Sequence, residues 1–137
     1  MSERPYGQWV VAWGGLALLG VANGVSRGLY QKWLGERRAH QVSSATLVVA
    51  LLPYAAAVDR RWPLPSADGA VRVGSTWVGL TTAFEFGFGH YVAKQSWRTL
   101  LADYDVRSGR LWPLVLACIG TAPAATRLAR LWRARRR

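Results

Sequence analysis

Charge is missing from this sequence over long stretches, and acid is scarce throughout. Seven Asp and Glu stand against eighteen Lys and Arg in 137 residues. No charged residue occurs in 5–26, 40–58 or 111–126, and 73–93 carries only Glu85, so the runs are 22, 19, 16 and 21 residues long. A helix on the surface of a soluble domain needs polar residues recurring with a period of about 3.6 on its outer face. These runs have no such face, which excludes an ordinary soluble bundle. A helix crosses a hydrocarbon core of about 30 Å with roughly 17–25 mostly apolar residues. Three runs meet that length, and the last reaches it if Arg127 snorkels and Leu128, Ala129 and Leu131 extend it.

Cysteine is nearly absent too. Cys118 alone, inside the fourth run, excludes a disulfide framework and a thiolate metal site. There is no Gly-rich phosphate loop, nucleophile elbow or haem-type Cys pair, so no cofactor is expected. A cleaved secretory signal is also disfavoured. Only Arg4 precedes the first run, Val21-Ala22-Asn23 is a poor cleavage site, and three further apolar runs follow.

What the sequence does contain is arginine. The formal charge of +11 would suit nucleic acid, but the cations lie between apolar runs and in the tail 127–137. In those places basic residues set topology and meet anionic lipid head groups. Membrane lipids are therefore the expected partners, and nucleic acid is not. Sixteen Arg against two Lys suit a high-GC bacterium, and hence a bacterial inner membrane.

The expected fold is all-α, a single four-transmembrane-helix bundle with spans at about 9–25, 42–58, 75–93 and 111–126. Trp9, Trp13, Tyr54, Trp77 and Trp112 fall near span ends, where amphipathic rings prefer the head-group layer. The connector 59–72 holds Trp62-Pro-Leu-Pro and Asp68-Gly and reads as a loop. In 27–39, Tyr30, Trp33 and Leu34 recur at i, i+3, i+4. In 94–109, Trp97, Leu100, Leu101 and Tyr104 recur at i, i+3, i+4, i+7. With cations opposite, both patterns suit helices lying in the interface plane, the alternative being that the spans simply continue past the head groups.

A shift of 64 residues superposes Trp13, Gly15 and Leu16 on Trp77, Gly79 and Leu80, and Gln31 and Trp33 on Gln95 and Trp97. It also superposes Val42, Ser44, Leu47 and Leu52 on Val106, Ser108, Leu111 and Leu116, nine identities over forty positions. Read as a repeat, the unit is span, interfacial helix, span, used twice in parallel. With both termini on one side, that side carries ten Lys and Arg against eight. The balance decides little, and the six tail arginines favour a cytoplasmic C-terminus.

Glu85 is the residue that most needs explaining. A charge at mid-bilayer costs roughly 3 kcal/mol on insertion scales, so such an acid faces the bundle interior and is partnered or protonated. His90, five residues on, lies about 140° round an ideal helix and does not share its face. Asn23 closes the first span, His40 opens the second, and Asp103, Tyr104 and Arg110 precede the fourth. Together with Glu85 and His90 they form the candidate binding set, a polar vestibule in one leaflet. His40, His90, Glu85 and Asp103 lack the spacing of a metal motif, so no metal is expected.

The strings Ala22-Asn23-Gly24, Arg38-Ala-His40-Gln41-x-Ser43, Phe84-Glu85-Phe86-Gly87-Phe88-Gly89-His90-Tyr91, Ser96-Trp97-x-x-Leu-Leu-Ala-Asp103-Tyr104 and Gly109-Arg110-Leu-Trp-Pro resemble a family of small bacterial four-span integral membrane proteins. The resemblance covers about 20–116 and implies a membrane location without bringing an activity. The chain does not resemble the small multidrug exporters, whose essential acid lies in the first span. The functional expectation is a transporter-like, channel-like or solute-binding membrane protein. A membrane-embedded enzyme or lipid-binding protein, and an accessory subunit of a larger complex, stay open. So do self-association and a larger partner assembly, given the small size.

Overall fold

The charge-free runs become helices, and the helices overshoot them. The computed structural model describes residues 4–137, with side chains from Pro5 onward. Helix α1 is Arg4–Leu34, α2 Glu36–Arg61, α3 Ala67–Gly87, α4 Trp97–Ala102 and α5 Trp112–Arg135. A π-helical turn, Phe88–Val92, prolongs α3, and a 3-10 turn, Val106–Ser108, precedes α5. No strand occurs among the described residues. Helices α1, α2 and α5 are long and apolar enough to cross a membrane. Their outward side chains fit that setting: Val11, Leu18, Leu29 and Val49 are each at least 70% exposed. Helix α3 has 21 residues but carries Asp68, Arg72 and Glu85, which lowers its apolar character.

The expected interfacial helix over 27–39 does not form. Nothing in 27–34 breaks a helix, so α1 runs on to Leu34 and turns back at Gly35. Gly35 has φ 80 and ψ 164, a region essentially restricted to glycine. Its N–H still bonds the Gln31 carbonyl at 3.0 Å, and its own carbonyl already accepts from Ala39 N–H at 3.0 Å. One residue thus serves both helices. The second connector behaves differently. After the π-turn the chain bends through Lys94 (φ 59). Ser96 Oγ then caps α4 by accepting from Thr99 N–H at 3.2 Å, and Gly109 (φ 86) ends the 3-10 turn. Helix α4 covers six residues of the expected 94–109, with Leu100 buried and Trp97 and Leu101 exposed. The two sequence-similar halves therefore share the order helix, connector, helix, but only the second has a connector helix.

The four long helices pack in a ring, α1 to α2 to α5 to α3 and back to α1, with α1–α3 the least extensive side. Between membrane helices the lipid supplies little hydrophobic drive, so close approach and hydrogen bonds must hold them together. At the end carrying the 62–66 loop the two occur together. A Cβ on Gly74 would collide with the Gly120 carbonyl oxygen, so α3 and α5 meet backbone to backbone. Gly15 gives room for Tyr54 and Gly69 for Tyr6. Trp9 and Trp77, both fully buried, sit with ring centroids 5.3 Å apart. Trp9 Nε1 donates to the Trp62 carbonyl at 2.9 Å and Trp77 Nε1 to the Trp9 carbonyl at 2.8 Å. Trp13 Nε1 reaches Thr81 Oγ1 at 3.0 Å, and the Tyr54 hydroxyl donates to the Ala12 carbonyl. These rings were expected at the head groups. They lock helices to one another instead, because an indole or phenol that can donate inside the bundle satisfies a carbonyl as well as burying area. At the same end Asp59, 3% exposed in its side chain, pairs with Arg130 at 2.7 Å, and Arg130 also donates to the Leu64 carbonyl at 3.1 Å.

Candidate functional site

Beyond Trp13 the ring opens. Ring contact between Trp13 and Phe84, with centroids 5.9 Å apart, marks the point where α1 and α3 begin to part. From there a cavity of about 710 Å³ extends toward the connectors. Its deep wall is apolar, made by Leu16, Leu47, Phe84 and Ile119, and its outer wall carries Arg27, Glu36, His40, Arg98, Asp103 and Arg110. Two glycines face its open space. Gly20 and Gly24 line it from α1, and a Cβ on either would meet nothing within 4 Å.

Glu85 is brought to this cavity by the last turn of α3 and is held firmly. Its Oε2 accepts from Tyr104 Oη at 2.8 Å and from Trp112 Nε1 at 2.6 Å. Both donors arrive from the second connector and the start of α5, where Pro113 stands in the first turn, a position that pre-sets helical φ. The π-turn begins three residues after Glu85. Such wide turns recur at functional sites, and here it carries the chain from α3 into the connector that returns with Tyr104. Burial pushes the Tyr104 phenol up to about 12, and its hydrogen bond to Glu85 adds to the shift. The phenol therefore stays a donor at any physiological pH.

The remaining polar residues form a ring at the mouth. Asn23 Nδ2 donates to Ser43 twice, to the carbonyl at 2.9 Å and to Oγ at 2.8 Å, tying α1 to α2. Arg27 Nη1 lies 3.3 Å from His40 Nδ1, and because the guanidinium only donates, that nitrogen accepts. Arg110 reaches Glu36 at 3.3 Å and Asp103 at 3.6 Å, joining three elements, while its buried Nη1 has no hydrogen-bond partner. Gln41 Nε2 donates to the Gly109 carbonyl at 3.2 Å.

Of the seven residues singled out from sequence, Asn23, His40, Glu85, Asp103 and Arg110 line the one cavity, and Tyr104 braces Glu85. His90 is placed elsewhere. Its ring stacks on Trp97 at 3.7 Å between centroids, and Nδ1 donates to the Gln95 carbonyl at 2.9 Å, so it shapes the connector. Sequence reading passed over Trp112, assigned to the head-group layer, and also Arg98 and Glu36. For Trp112 a signal existed, since it lies two residues after Arg110 on a helix start facing the same region. Nothing in the sequence brings Arg98 to the mouth. Among the described residues no group of three His, Cys, Asp or Glu is placed to hold a metal. No protein-family model, curated protein or solved structure matches the chain.

Proposed function

We propose that this chain is a four-span protein of the bacterial inner membrane, α3 being the fourth crossing, and that it binds a small molecule in its vestibule. The observation carrying the reading is the cavity itself. About 710 Å³ falls in the range of roughly 300–1,000 Å³ typical of ligand sites, and its walls, apolar with a few converging polar groups, have the make-up of such sites. The closed end argues against an open channel, since Trp9, Trp77, Leu51 and Ala122 are all at most 1% exposed and fill the bundle below the cavity. Solute binding, or one state of a transport cycle, fits better. The charges of α3 are compatible with a crossing. Asp68 and Arg72 pair at its loop end at 3.0 Å, and Glu85 is satisfied inside the bundle by Tyr104 and Trp112. The six tail arginines favour a cytoplasmic C-terminus, and the motif strings favour the small four-span family they resemble.

Two measurements test this. In a Cys118→Ser background, single cysteines at Arg38, Pro63 and Arg107 are labelled in intact cells with an impermeant reagent. Four crossings require the labels at 38 and 107 to share a side, with 63 opposite. If 107 shares the side of 63, α3 does not cross. For binding, Gly24→Phe fills the vestibule from a position with open space. A ligand found by thermal stabilisation of the wild type, which raises apparent stability by binding the folded form alone, loses its effect in that variant. If the ligand acts equally on both, it binds elsewhere.

A further inference from the structure

The vestibule is long as well as wide. Along α1 its lining runs from Trp13 to Arg27, and fourteen residues at the helical rise make about 21 Å. That is most of the thickness of one leaflet and its head-group layer. Polarity follows the same axis. Leu16 and Ala17 lie with Phe84 and Ile119 at the deep end, where Thr81 and Glu85 are already bonded to Trp13, Tyr104 and Trp112, and Arg27 and Arg98 stand at the mouth. A compact solute would need polar groups on several sides at one depth. This cavity instead has the layout of a lipid in its own leaflet, chain below and head group above.

The seam between α1 and α3 beside the cavity is apolar. Helices α1 and α3 touch through Trp9–Trp77, Trp13–Thr81 and Trp13–Phe84, all toward the closed end. Past these contacts the rims of the cavity on α1 and α3 carry Val21, Val25, Phe84 and Phe88, which are 40%, 70%, 36% and 43% exposed. Both rims are apolar, as an entry for an acyl chain must be, since a polar rim would have to lose its water to hydrocarbon.

The mouth sets the charge. Arg110 is already shared between Glu36 and Asp103. Glu85 lies deeper and accepts two internal hydrogen bonds. Arg27 has only an imidazole as its close side-chain partner, and Arg98 has no carboxylate within ion-pair distance among the described residues. Two guanidinium groups thus face the mouth without a compensating anion. Their planar forks match phosphate oxygens in pairs.

We infer that the vestibule takes an anionic membrane lipid, which enters sideways between α1 and α3, lays an acyl chain along α1 and seats its phosphate on Arg27 and Arg98. This rests on the binding role proposed above and names its ligand class.

The test uses the full chain, purified in detergent and stripped of lipid. Phosphatidylglycerol, phosphatidylcholine with the same chains, and inorganic phosphate are added in turn, with retention read by native mass spectrometry and stability by melting. Phosphatidylglycerol is expected to bind about tenfold or more tightly than phosphatidylcholine, each basic group near an anionic surface contributing several-fold. Arg98→Gln, which breaks no ion pair in the fold, and Arg27→Gln each erode that preference, and together they abolish it. Gly20→Phe blocks the chain and removes both lipids. Equal binding of the two lipids, unchanged in Arg98→Gln, would overturn the head-group assignment and leave a vestibule that binds. Stabilisation by phosphate alone, with Gly20→Phe lacking effect on either lipid, would overturn the lipid and point to a water-soluble anion. If no lipid, phosphate or solute in the earlier screen distinguishes wild type from either plugged variant, the vestibule reading itself fails.

Discussion

At one end of the bundle two glycines let helices touch; at the other, two glycines of α1 line an open cavity. Gly74 and Gly120 bring α3 and α5 together until their backbones meet, whereas Gly20 and Gly24 face empty space. The tryptophans divide in the same way. Trp9 and Trp77 donate to backbone carbonyls inside a filled core, while Trp112 donates to a carboxylate on the wall of a cavity. The lesson is that residue type does not fix the role of a small or aromatic side chain between membrane helices. What each one meets at that level does. A neighbouring backbone makes glycine a contact surface, and open space makes it cavity lining.

The largest expected effect comes from breaking the closed end electrostatically. Arg130→Ala leaves Asp59, 3% exposed in its side chain, without its partner. Removing one member of a buried pair costs about 3–5 kcal/mol, and because Arg130 is one-third exposed the lower figure is expected. Thermal unfolding in detergent should show the loss, and a change under about 1 kcal/mol would mean that the closed end is not held this way. The glycines give the sharpest contrast. Gly74→Ala should cost about 1–3 kcal/mol as overpacking against a backbone that cannot yield, while Gly20→Ala should be neutral or stabilise by up to about 1 kcal/mol through lost chain flexibility. Equal effects at the two positions would erase the distinction between the ends.

The smallest effect lies at the open end and depends on pH. The Tyr104 phenol is raised to about 12 by burial and by Glu85, so the folded state holds its proton more tightly than the unfolded chain, which releases it near 10. That contribution is fully present below pH 10 and is lost as pH rises from there through 12. Titration by phenolate absorbance should find Tyr104 among the last tyrosines to ionise in the wild type, and Tyr104→Phe should remove one late-ionising group while leaving the closed end intact. An unchanged number of late tyrosines in the variant would place the shift elsewhere.

Much of this was legible in the chain. The charge-free runs located every long helix, because the cost of burying an unpaired charge or backbone group in hydrocarbon acts locally and leaves its mark in composition. The inward orientation of Glu85 and the gathering of Asn23, His40, Asp103 and Arg110 at one face followed from the same cost combined with helix order. The single-residue turn at Gly35 did not. Amphipathic spacing over 27–39 suited an interfacial helix as well as a continuing span, and only the backbone geometry at Gly35 settled which one formed.

The sequence by itself determined that the protein is helical, that it belongs in a membrane, and that one acid within an apolar run had to find company. These outcomes depend on transfer free energies summed along the chain. The tertiary structure alone decided that Trp112 and Tyr104 are that company, that Trp9 and Trp77 face inward, and that α1 and α3 diverge past Phe84 to leave a cavity. Such features depend on distances between residues up to 68 positions apart, set by how small residues let helix axes cross, and no local pattern encodes them.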